Sequence, residues 1–86
     1  MNNSSVQMVL ANTTMTRNPQ RIQHIATMLE MISLREIKTT DGETILVQLG
    51  CSPERVNDYL FVDDNWWRWG ALSPSDQVQV MIGLLH

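Results

Sequence analysis

Three dipeptides, Asn18-Pro19, Ser52-Pro53 and Ser73-Pro74, constrain the chain most, because each sets a residue that favours helix N-caps directly before a proline. At the first helical position the missing N–H costs nothing and the fixed φ of proline is already helical, so each pair predicts a helix start. The first helix runs from Pro19 to about Ser33, where Ile22, Ile25, Ala26, Leu29 and Ile32 fall on one apolar stripe. The second opens at Pro53, with Val56, Tyr59 and Leu60 on one face. The third opens at Pro74, behind Ser73 and Asp76 in a capping-box-like spacing. In that last segment Val78, Val80 and Ile82 alternate as in a strand, whereas Val78, Met81, Ile82 and Leu85 fit a helix; the cap favours the helix.

A chain of 86 residues that is 43% hydrophobic supports one small core and leaves no room for a second domain or a large internal cavity. The expected layout is a neutral N-terminal arm, residues 1–16, followed by one globular domain, residues 17–86. In the arm Val6, Met8 and Leu10 alternate, which suits either an edge strand or a frayed terminus. Cys51 is the single cysteine, so no intramolecular disulfide can form, and a reducing cytoplasm is the expected location. No apolar run approaches the roughly 20 residues that span a bilayer. Residues 1–16 carry no charge and lack the basic start of a signal peptide.

Two stretches read as hairpins. Phe61-Val62-Asp63-Asp64-Asn65-Trp66-Trp67-Arg68-Trp69 has the order strand, polar turn, aromatic strand, closed by Gly70. In the stretch 35–49, Asp41-Gly42 between β-branched flanks is a two-residue hairpin signal. Thr40 and Glu43 form a competing capping box that would start a helix at Asp41, and local sequence leaves both open.

The segment from Thr44 to Leu60 resembles the helix-turn-helix of prokaryotic transcription regulators. Leu49, Gly50, Cys51, Ser52, Pro53, Val56 and Tyr59 match the pattern around its turn, and Ile45 matches an apolar place in its first helix. Leu46 departs from it, standing where the family prefers alanine. The resemblance extends to a winged helix-turn-helix domain, with the 61–69 hairpin as the wing. It implies the order helix 19–33, short strand 35–39, helix 41–49, helix 53–60, hairpin 61–69, helix 74–85. The expected fold is therefore a small single α+β domain of three to four helices with one or two β-hairpins, winged-helix-like. A weaker likeness joins Arg17-Asn18-Pro19-Gln20-Arg21-Ile22 and Phe61-Val62-Asp63-Asp64 to small uncharacterised bacterial and phage proteins, and assigns no chemistry.

The helix-turn-helix resemblance implies a non-enzymatic regulator that binds DNA. Arg55 and Asn57 would pair with guanine and adenine, Arg68 would lie on the wing, and Arg17 and Arg21 would touch phosphate. Charge opposes this: residues 35–64 carry seven acids, Glu36, Asp41, Glu43, Glu54, Asp58, Asp63 and Asp64, against Arg35, Lys38 and Arg55. The same charges also suit an ordinary solvated face. The rival is a small acidic phage or mobile-element protein that binds and inhibits a host or defence complex, as an anti-CRISPR-type inhibitor does, through Asp63, Asp64, Trp66, Trp67 and Trp69. Trp67 and Trp69 would share one face of a strand, with Trp66 on the other. Ile82, Leu84 and Leu85 could close a homodimer or complete the core. No catalytic set, cofactor motif or metal-ligand spacing is evident, since His24, His86 and Cys51 lie far apart in the sequence.

Overall fold

The computed structural model describes residues 19–86, and every regular element among them is helical. Helix α1 is Pro19–Ser33, α2 is Thr39–Gln48, α3 is Pro53–Asn57, and α4 is Pro74–Leu85. A single π turn, Asp58–Val62, continues α3, and a 3-10 segment, Trp66–Ala71, leads towards α4. The N-terminal arm and Arg17 lie outside the described residues.

Helix α1 takes the expected bounds and buries Ile22, Ile25, Leu29 and Ile32. It ends in a Schellman motif: Glu36 N–H donates to the Met31 carbonyl at 2.9 Å and Arg35 N–H to that of Ile32 at 3.0 Å, with Arg35 left-handed at φ 60°. Residues 35–39 therefore do not form the short strand expected there. The chain instead reverses within a few residues and starts α2 at Thr39, two residues before the position marked by the capping box.

The competition between hairpin and helix over residues 41–49 resolves to helix because burial follows a 3.6-residue period. Gly42 and Leu46 are buried one turn apart on the face towards α1, and half-buried Leu49 extends that stripe. Helix α2 ends in a second Schellman motif, with Cys51 N–H on the Leu46 carbonyl at 3.1 Å, Gly50 N–H on that of Val47 at 3.0 Å, and Gly50 at φ 103°. Such a conformation favours glycine.

Ser52 then caps α3, its hydroxyl accepting the Arg55 N–H at 3.5 Å. Ser73 caps α4 in the same way, accepting the Asp76 N–H at 3.2 Å. Removing the first cap by Ser52→Ala is expected to lower stability by about 1 kcal/mol, read as a shift in the urea midpoint with unchanged slope.

The expected α+β fold is not formed, and no strand exists among the described residues. The hairpin at 61–69, and with it the wing, is replaced by the π turn and the 3-10 segment. Packing of the tryptophans accounts for the difference. In a 3-10 helix residues i and i+3 align, so Trp69, 3% exposed, and half-buried Trp66 turn inwards together against α1 while Trp67 turns out. A strand would have paired Trp67 with Trp69 instead. The Gln77 side-chain amide donates to the Trp69 carbonyl at 2.9 Å and ties this segment to α4. The core joins α1, α2, α3, the π turn, Trp69 and α4, with Met81, Leu46, Val56 and Ile25 fully enclosed.

Candidate interaction surface

Helices α2 and α3 pack on one another across the Gly50 turn, and α3 packs on α4. The exposed face of α3 carries Glu54, Arg55 and Asn57, and Asp58 follows on it at the start of the π turn. Glu54 is drawn back to the cap, where its carboxylate accepts a hydrogen bond from the Ser52 hydroxyl at 3.2 Å. Arg55 lines a groove of about 240 Å³ between α3 and α4 together with Asp58, Tyr59 and Asp63. Of the residues expected to read or contact DNA, Arg55 and Asn57 thus share a helix, while Arg21 stands on α1 and Arg68 in the 3-10 segment.

Arg21 on α1 lies at the turn. A side-chain carbon built on Gly50 would come within 2.8 Å of its Nη1, so the guanidinium covers the glycine. Arg68 stacks on Trp67, its guanidinium carbon 4.7 Å from the ring centroid. With no wing present, Arg68 occupies a helical turn and not a β-ribbon. A second cation–π pair, Arg35 over Trp66 at 5.1 Å, borders an open groove of about 480 Å³ that also includes Ile32, Ile37, Glu36 and Lys38.

The tryptophans expected to act together divide between roles. Trp69 is core, Trp66 is half-buried beneath Arg35, and Trp67 is 54% exposed. Near it in sequence are Phe61, 43% exposed, and Val62, 67% exposed, with Asp63 and Asp64 exposed after them. Leu34, at the end of α1, is 59% exposed. Leu34, Phe61 and Val62 are apolar positions that the helical stripes leave over, which is the sequence signal by which they could be found. The grouping of Tyr59 with Gly83 in the α3–α4 groove depends on the helix crossing and has no such signal, apart from a lone glycine inside an apolar helical run.

Burial pushes the Cys51 thiol up to about 11, with the nearby Arg21 pulling only partly in the other direction. At neutral pH Cys51 is therefore a buried thiol that packs behind the turn, far from the thiolate needed of a nucleophile. Burial also raises Tyr59, partly offset by the charge of Arg68, so its phenol keeps its proton. Among the described residues no group of three or more His, Cys, Asp or Glu side chains is placed to hold a metal ion. Nor, among them, is any helix long and apolar enough to cross a membrane.

No protein-family model matches the chain, and no curated protein and no solved structure matches it either.

Proposed function

We propose that the protein is a non-enzymatic binding module whose ligand is another protein. The observation that carries this reading is the exposure of Phe61, Val62 and Trp67 within seven consecutive residues, with Asp63 and Asp64 between them. Single exposed apolar residues are ordinary, but a run of this kind exposes aromatic area that water solvates poorly, and Trp is enriched where interfaces concentrate their energy. The two acids within it favour hydration of the surface when unoccupied and select against nucleic acid.

DNA recognition by α3 is the second reading, favoured by the glycine turn, the Ser52 cap and the exposure of Arg55 and Asn57. Against it, α3 has only five α-helical residues before the π turn, and Asp58 and Asp63 line the same groove as Arg55. Phosphates would meet carboxylates there.

Affinity capture from the organism that encodes the protein, beside fluorescence anisotropy with duplex DNA across a salt series, separates the two readings. Phe61→Ser combined with Trp67→Ser is expected to weaken the captured partner about 30-fold or more, with Arg55→Ala/Asn57→Ala close to wild type. Salt-sensitive duplex binding that disappears in Arg55→Ala, with capture indifferent to Phe61 and Trp67, would establish the DNA reading instead.

A further inference from the structure

None of Phe61, Val62 and Trp67 lines the groove beneath Arg35, at the reversal between α1 and α2. Its apolar walls are buried Ile32 and half-buried Ile37 and Trp66, and its charged residues are Arg35, Glu36 and Lys38. Arg35 lies over Trp66, with its guanidinium carbon 5.1 Å from the ring centroid. A guanidinium that gives its face to a ring keeps the N–H donors along its edge, in the fork that grips a carboxylate with two parallel hydrogen bonds. Among the described residues no carboxylate is paired with Arg35 or with Lys38, and Glu36 is paired with neither.

Lys38 supplies the second, independent observation. It holds the N-cap position of α2 at φ −67° and ψ 144°, the extended conformation from which Ser52 and Ser73 cap α3 and α4, yet its side chain makes no cap hydrogen bond. A cation there also opposes the positive end of the helix dipole. Lysine therefore weakens α2 at a place where serine or aspartate would strengthen it. Lys38 is exposed, and among the described residues its ammonium has no partner that would offset this cost.

We infer that this groove binds an acidic segment of the partner protein, with a carboxylate held by Arg35 and Lys38 and a neighbouring apolar side chain seated on Ile37 and Trp66. The inference rests on the protein-binding reading above and adds a second contact together with the partner's chemistry. Charge complementarity selects the occupant: two cations meet one acid here, in a chain whose acids outnumber its lysines and arginines nine to six. Glu36 weakens the attraction without cancelling it. The apolar walls favour a segment that brings more than a bare anion, and a groove of about 480 Å³ has room for one apolar side chain beside the carboxylate.

Selection of a random 12-residue peptide library on the immobilised full chain, then anisotropy titration of the enriched peptides, tests this. The peptides should carry Asp or Glu beside an apolar residue, lose affinity tenfold or more in Arg35→Gln and in Lys38→Asp, and gain affinity in Glu36→Gln. Lys38→Asp should also raise the urea midpoint, because aspartate supplies the missing cap, so that its binding loss comes with a gain in stability and is not unfolding. Acidic peptides that bind Arg35→Gln and Lys38→Asp as tightly as wild type, or enriched peptides lacking Asp and Glu, would overturn the groove proposal. A single-stranded oligodeoxynucleotide of the same length that binds more tightly than the peptides, and is lost in Lys38→Asp, would overturn it in favour of nucleic acid. If peptide binding is lost on Phe61→Ser/Trp67→Ser but untouched by Lys38→Asp, the protein-binding reading stands and the groove proposal falls. If no peptide binds any form, both fall.

Discussion

Replacing Trp69 by alanine is expected to destabilise the domain by about 3–5 kcal/mol, the range for truncating a large buried aromatic residue. A domain of this size has a total stability of only about 3–10 kcal/mol, so the variant loses a large share of it and, at the low end of that range, is mostly unfolded at room temperature. The effect should exceed that of either neighbouring tryptophan. Trp69 is sealed against α1 at 3% exposure, whereas Trp67 is more than half exposed and Trp66 is half-buried under a guanidinium. Thermal melts of the three alanine variants, followed by circular dichroism, should rank them Trp69, Trp66, Trp67. If the segment were a strand, Trp67 and Trp69 would share a face and fall together.

The second large effect is expected at Gly42. A side-chain carbon there would lie 2.5 Å from Ile32 Cγ1, well inside contact distance, and Ile32 is 1% exposed. Gly42→Val should destabilise by about 1–3 kcal/mol through overpacking at the α1–α2 crossing. Gly42→Ala should have a smaller effect, because better helix propensity returns up to about 1 kcal/mol. The origin of the loss can be checked by a double-mutant cycle with Ile32→Val. Trimming the isoleucine should recover part of the Gly42→Val loss, giving a coupling of about 0.5 kcal/mol or more. An additive result would place the strain elsewhere.

Gly42 also illustrates where the sequence misleads. In Asp41-Gly42 it carries a hairpin signal, and in α2 it weakens the first turn, yet its reason for being glycine is the side chain of Ile32, ten residues away on another helix. The proline-marked helix starts were legible because caps and fixed φ act within three or four residues. Aromatic and β-branched content at 61–69 indicated strands because that preference reflects fitting a half-buried pleated surface. No such surface forms here, and the i, i+3 spacing of Trp66 and Trp69 found its burial against α1. On the interaction surface, the exposure of Arg55 and Asn57 follows from the Ser52 cap and the apolar face of Val56, all local. That Asp58 and Asp63 line one groove involves the π turn, and the grouping of Tyr59 with Gly83 in it needed the α3–α4 crossing.

Ser52 does more than cap. Its hydroxyl begins α3, its carbonyl accepts Val56 N–H at 2.9 Å, and its own N–H donates to the carbonyl of Leu84 at 2.7 Å. One residue therefore closes the start of one helix and the end of another that lies far along the chain. The turn between α2 and α3 is not a detachable reading head with a helix appended. Fraying at the end of α4 releases a bond held by the residue that starts α3, so loosening at either place is felt at the other, and the two belong to one cooperative unit.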